Sequence, residues 1–271
     1  MKTPMLWLLL LLAVKMPLAN TENLPEKRKW RNEMPLISLY FLQQNNDAQQ
    51  AFANQSFIAA GVRNDFLLKE LMSEQLTAQW AYKSNRFLLS VAHEGISQYG
   101  TMQFSTGYAK LFAQKLAIAT RFYYILHHAE RYPSVHSLSF DMSFQAAITP
   151  KMGLAVQVSN PAYLKYGITG DVPLPMRFLA DFYYKAGDKT LVTANMEYIL
   201  NGSFNLSLQL MQQIQALHLS FAVSLHHTSL SAGLTMKQFI IQLHTAYDWR
   251  LGISSEFTAI FLWNKSERIK K

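Results

Sequence analysis

Between Phe140 and Val158 apolar side chains recur at every second position: Phe140, Met142, Phe144, Ala146 and Ile148, then Met152, Leu154, Val156 and Val158. A period of two is that of a β-strand, whose successive side chains point to opposite faces. The intervening residues, Asp141, Ser143 and Gln145 and then Gln157 and Ser159, are polar and mostly uncharged. One face seeks hydrocarbon and the other tolerates water. The break Thr149-Pro150-Lys151 between the two runs predicts a tight antiparallel hairpin.

The same pattern predicts strands near 57–65, 74–82, 86–92, 101–109, 116–126, 135–148, 151–159, 175–184, 189–198, 203–211, 215–225, 229–236, 238–248 and 252–263. That is about fourteen, with twelve as the alternative count. In the clearest run Leu217, Leu219, Phe221, Val223 and Leu225 face away from His218, Ser220, Ala222, Ser224 and His226. Short turns are predicted at 83–85, 112–114, 149–151, 186–189, 212–213 and 237–238, and longer links at 93–100, 127–133 and 159–173. Tight turns on one rim and longer loops on the other describe an all-β, antiparallel, up-and-down transmembrane β-barrel. Two segments, 64–76 and 205–217, are rich in strong helix formers. Alternation takes precedence over propensity in both, and a short helix in the loop after the first strand is compatible with the barrel.

Charge decides which solvent the apolar face meets. Charged residues make up 15% of the 271, where soluble domains carry about a quarter. A soluble secreted β-sandwich, acting as a binding module, is the rival architecture, and its outward face would carry Lys, Glu, Asp and Arg. Here the second face is Ser, Thr, Gln, Asn, Ala, Gly and His, so Asp141, Ser143, Gln145 and His218 are placed facing a lumen. Aromatic residues and cations gather at strand ends, at Tyr82-Lys83, Tyr108 and Lys110, Tyr183-Tyr184-Lys185 and Trp249-Arg250, as interfacial girdles require. Closure follows, because an open edge in lipid leaves backbone groups unpaired. An even strand number puts both termini on the periplasmic side.

The ends of the chain supply an address. Met1-Lys2, the ten apolar residues Met5 to Val14 and the small Ala19 read as a signal peptide over 1–19. Lys15 and Pro17 leave a signal anchor as the alternative. Residues 20–50 form a polar N-terminal segment, part of it expected within the lumen, 51–264 the barrel, and 265–271 a polar tail. The formal net charge is +8, two of the charges lie in the leader, and no aromatic–basic cluster accompanies them, which argues against a nucleic-acid partner. With no cysteine, disulfides, a thiol nucleophile and a lipid anchor through cysteine are excluded.

No catalytic, cofactor or metal residue announces itself. The Gly-x-Ser-x-Gly elbow, phosphate loops and nucleotide fingerprints are absent, and His93-Glu94 lacks the second histidine of a zinc-protease motif. The pairs His127-His128 and His226-His227 cannot chelate as units, since neighbours on a strand diverge; they read as polar rim residues. Tyr123, Tyr124, Tyr163, Tyr166, Tyr183 and Tyr184 would line a sugar or lipid path or serve girdle and core packing. The sequons at Asn54, Asn201, Asn205 and Asn264 would matter only in a eukaryotic secretory pathway.

A family resemblance rests on "FANQSFIAAGVRNDFLLKELMSEQLTAQWAYKSNRFLLSVAHEGISQYGTMQFSTGYAKLF" (52–112), "KLAIATRFYYI" (115–125), "VSNPAYLKYG" (158–167) and "LPMRFLADFYYKAGDKTLVTANMEY" (174–198). These stretches resemble the PorV/PorQ-like outer-membrane barrels of Bacteroidetes, related to the FadL fold. Asn54, Gln55, Glu70, Leu71, Asn160 and Pro161 are the motif positions. Two departures stand out: Asn54-Gln55-Ser56-Phe57 lacks the family's glycine, and a polar tail follows Phe257, Phe261 and Trp263. The resemblance implies an outer-membrane barrel of a Gram-negative cell that is an accessory or scaffold of type IX secretion, or a passage for hydrophobic molecules. Its partners would be outer-membrane lipid, the barrel-assembly machinery, and secretion components or a hydrophobic ligand. A lipid-modifying enzyme of the outer leaflet is the contrasting reading; it requires a clustered acid, base and nucleophile. Whether the lumen is open or plugged is a question for the structure.

Overall fold

The computed structural model describes residues 46–53, 55–113, 115–166 and 173–263. A short helix α1 (Asp47–Ala53) precedes fourteen strands: β1 Ser56–Asn64, β2 Met72–Tyr82, β3 Asn85–Gly95, β4 Tyr99–Phe112, β5 Leu116–Ala129, β6 Tyr132–Thr149 and β7 Met152–Ser159. The second half continues with β8 Arg177–Gly187, β9 Thr190–Ile199, β10 Phe204–Ile214, β11 Leu217–Ser224, β12 His227–Met236, β13 Phe239–Asp248 and β14 Gly252–Trp263. Every strand pairs antiparallel with its sequence neighbours, and β1 joins β14 from Ser56↔Trp263 to Asn64↔Ser255. The sheet is a closed barrel of fourteen strands, so no edge is left to be satisfied.

The rim that carries the start of β1 and the end of β14 is made of tight turns. Two-residue links at 83–84, 215–216 and 237–238 reverse the chain there, with Lys83, Gln215 and Lys237 at φ 53°, 55° and 49°. Three links differ from expectation, the first being the longer link expected over 93–100, which is only 96–98 because β3 and β4 pair out to Gly95↔Gly100. The turn expected at 212–213 sits at 215–216, because β10 continues to Ile214 with Met211 and Gln213 still facing inward. The long link expected over 127–133 is a two-residue turn at 130–131, since β5 and β6 pair out to Ala129↔Tyr132 across a bulge. On this second rim only 65–71 and 160–176 are long, the latter including residues outside the description. Of the two helix-prone segments, 205–217 is spanned by β10 and the start of β11, and 64–76 holds one 3-10 turn, Lys69–Leu71, before β2.

Outside, the barrel is an apolar band. Leu89, Phe122, Leu138, Leu208, Phe221 and Leu230 are each more than half exposed. Tracing the register around the sheet leaves two charged side chains on outward strand positions of the described residues, Glu74 and Lys110, each the third residue from a strand end. Aromatic rings pack against one another near the turn rim, with Phe87 5.5 Å from Tyr108 and Phe239 5.0 Å from Phe261. Lys83 lies over the Tyr82 ring and Lys110 over the Phe112 ring. A band of this kind is at home in hydrocarbon, with its aromatic belt at the water boundary. The tyrosine pairs split as strand neighbours must: Tyr124 and Tyr184 face out, while Tyr123 and Tyr183 face in, so Tyr183 belongs to the lumen and not to the girdle.

The inner face is not uniformly hydrophilic. Near the turn rim Phe57, Tyr183, Leu191, Met211, Ile240 and Leu262 converge with Ile260 and with Ala53 of α1 into an apolar plate across the lumen. Phe52 of α1 packs on this plate and also on a second cluster, where Ala48 and Ala51 meet Ala109, Ala117 and Ala119.

Candidate functional site: a plugged lumen and its cavity

The helix inside the barrel starts from Asn46, whose Oδ1 accepts the backbone N–H of Gln49 at 3.2 Å while its carbonyl accepts that of Gln50 at 3.0 Å. An asparagine cap followed by Asp-Ala-Gln-Gln-Ala suffices for two turns, but a seven-residue helix is not stable alone in water. It persists because the wall of β4, β5 and β6 receives it.

Small residues make that reception. The inward positions Gly107, Ala109, Ala117 and Ala119 let the helix backbone approach, and a β-carbon at Gly107 would lie 2.8 Å from Asp47 Oδ2. Arg121 donates its Nε–H to Asp47 Oδ2 at 2.8 Å and a terminal N–H to Oδ1, forming a bidentate pair with both side chains buried. Burial raises the Asp47 carboxyl above the ordinary carboxylate range, and the Arg121 guanidinium opposes that rise. Ser143 Oγ accepts the backbone N–H of Ala48 at 3.3 Å, and Gln49 faces Asp181 of β8.

The structure places Asp141, Ser143, Gln145 and His218 on the inner face, all buried. Three of them border the helix seat. Asp141 accepts the Tyr123 hydroxyl at 2.7 Å and Gln157 Nε2 at 3.0 Å, Ser143 holds α1, and Gln145 sits beside Tyr183. His218 lies elsewhere, on β11, over Gly233, where a β-carbon would come within 1.9 Å of its Nε2. The inward pair Asp47 and Arg121 escaped the pattern reading. A lone arginine within the apolar run of β5 was the available signal, parallel to Asp141 in β6.

Of the family-like positions, Gln55 and Asn160 make hydrogen bonds that hold the scaffold. Asn54 lies outside the described residues. The carbonyl of Gln55 accepts Gln79 Nε2 at 2.7 Å. Glu70 is exposed and Leu71 partly so, both in the 3-10 turn. Asn160, at φ 52° and 2% exposed, staples the long loop: Nδ2 donates to the carbonyls of Leu164 (3.1 Å) and Leu174 (2.9 Å), and Oδ1 accepts Leu164 N–H at 2.8 Å. Pro161 follows in the turn that this staple fixes.

Beside the helix the lumen keeps a cavity of about 270 Å³. Phe57, Ala59 and Ile260 form its apolar floor, and Gln75, Thr77, Gln209, Gln242, His244 and Glu256 its polar wall, with Gln50 of α1 reaching in. Ser231 Oγ and His244 Nδ1 are 2.7 Å apart, and Glu256 is the register partner of His244. Strand order thus assembles a hydroxyl, an imidazole and a carboxylate that lie apart in sequence. Among the described residues, however, Glu256 accepts from Thr258 Oγ1 at 3.1 Å and forms no hydrogen bond with His244. No group of three His, Asp or Glu suited to a metal ion occurs among the described residues.

No family model matches the chain, and no curated protein matches it in sequence. Solved structures do match in shape. A Pseudomonas putida toluene transporter, TodX, is similar at TM-score 0.57 and 10% identity, over 88% of this chain and 97% of that one. A Pseudomonas aeruginosa FadL homologue is similar at TM-score 0.59 and 10% identity, over 81% and 93%. A KdgM porin overlaps at TM-score 0.48 and 8% identity, over 77% and 99%. At such identities the likeness is one of fold: a barrel of the kind found in FadL-like channels.

Proposed function

We propose that this chain is an outer-membrane passage for small molecules of apolar character, held shut by its own N-terminal helix. The observation that carries the reading is a closed barrel with an apolar exterior whose lumen holds both a cavity and a short helix fastened to one wall by a buried ion pair. A structural scaffold has no need of an internal cavity with an amphipathic lining. The fold likeness to a toluene transporter and a FadL homologue supports the same class. The apolar plate and α1 together block a straight aqueous path, so transit requires α1 to leave its seat.

The leader over 1–19 would deliver the chain across the inner membrane, and the barrel-assembly machinery would insert it. We assign it no catalytic role, because the Ser231, His244 and Glu256 group lacks the carboxylate–imidazole contact that would orient a base. An accessory role in type IX secretion rests on the PorV/PorQ-like stretches alone.

The test is uptake of toluene by liposomes with a lipopolysaccharide outer leaflet, which slows free entry of hydrocarbon, containing the refolded chain, beside a form lacking residues 46–53. Slow uptake by the full chain and fast uptake by the shortened one is the expected result. Equal uptake by both and by protein-free liposomes would remove the passage.

A further inference from the structure

Resting on the passage reading, we infer that the lumen cavity selects small amphiphiles that have a compact apolar body and a neutral or cationic hydrogen-bonding head, and that it rejects carboxylates.

The floor fixes the body. An apolar cavity of about 150 Å³ takes a benzene ring, so about 270 Å³ accommodates such a ring on Phe57, Ala59 and Ile260 with room for a short head group. The wall fixes the head. Four carboxamides, Gln50, Gln75, Gln209 and Gln242, offer donors and acceptors without net charge. Glu256 contributes the carboxylate of the lining, and no lysine or arginine is among the lining residues.

A bound carboxylate would therefore meet a like charge with no lysine or arginine in the lining to offset it. Arg63, the register partner of Glu256, lies outside the lining, and its charge is paired with the Asp65 carboxylate, Nε to Oδ1 at 2.7 Å. His244 is held by Ser231, and an imidazole above pH 7 is mostly neutral. An alcohol finds partners among the carboxamides and Thr77. An amine finds the same partners and Glu256 besides. A plain hydrocarbon uses none of the donors and acceptors that remain beside the Gln75–Thr77 (3.0 Å) and Thr193–Gln209 (3.3 Å) hydrogen bonds, and displacing the water on them costs affinity.

The experiment keeps one ring and varies the head: benzylamine, benzyl alcohol, benzoate and toluene, titrated calorimetrically at pH 8 into the full chain in detergent, with empty micelles as blank. Benzylamine should bind at least tenfold tighter than benzoate, with benzyl alcohol between them and toluene below the alcohol. Glu256→Gln should bring benzylamine and benzoate within threefold of each other. Gly61→Phe projects into the cavity and should abolish binding of every probe; Thr77→Phe serves if that variant fails to fold as judged by heat-modifiable gel mobility. Benzoate binding as tightly as benzylamine, toluene outbinding both heads, or binding that survives the filled cavity would each overturn the inference. Toluene uptake by the shortened chain without this ranking leaves the passage and removes the inference. The ranking without uptake leaves the inference and removes the passage.

Discussion

Gly107 stands where any side chain would strike Asp47: a β-carbon there would lie 2.8 Å from the carboxylate oxygen that Arg121 holds. The carboxylate has nowhere to retreat, because its own ion pair pins it. The absence of a side chain at one position of β4 is thus a condition for seating the helix at all. Replacing Gly107 by Ala should loosen α1 by about 1–3 kcal/mol, the usual range for overpacking. Hydrogen–deuterium exchange over 47–53 should accelerate while the strands stay protected. Unchanged exchange would show that the seat does not depend on this contact.

Removing one partner of the Asp47–Arg121 pair should be worse than removing both. Arg121→Met leaves a buried carboxylate alone and should destabilise the seated state by about 3–5 kcal/mol; Asp47→Leu combined with Arg121→Met should recover much of this. Urea titrations of the four forms in detergent measure the coupling. Additive losses would place the helix under other control.

The loop staple at Asn160 separates two causes. Asn160→Gly keeps the left-handed backbone and removes three hydrogen bonds, whereas Asn160→Ala also forces alanine into φ 52°. Both should expose the loop 160–176 to protease, at about 1 kcal/mol for each bond lost, and the alanine form should be cut faster. Equal resistance in all three forms would assign the staple no role.

The exterior has its own test. Phe221→Arg at mid-strand on the apolar face should lower barrel stability in vesicles by about 2–4 kcal/mol. Ala222→Ser, one residue on and facing the lumen, should change it by no more than about 0.5 kcal/mol. Comparable effects from both would argue that the two faces do not meet different solvents.

Much of the wall was legible in the sequence because its outward positions are almost without charge, so Leu217, Leu219, Phe221 and Val223 announce a strand without help from neighbours. Ends were less so. Whether β5 stops at Leu126 or runs to Ala129 depends on the partner it finds in β6, a matter of pairing and not of local pattern. The apolar plate blurred alternation too, since Leu191 faces in and Val192 out. The helix left no periodic trace, seven residues being too few, and it folds by docking. Asp47 and Arg121 are 74 positions apart, and Ser231, His244 and Glu256 meet only because β12, β13 and β14 register as they do.

The seam between β1 and β14 dictates an order of assembly. Ser56 finds its partner in Trp263, so the cylinder stays unsealed until its last strand has been synthesised and delivered. Helix α1 leads β1 by residues 54–55 only and ends against the apolar plate. A stopper that swings out for transit therefore stays leashed to that seam and returns to its berth without leaving the vessel.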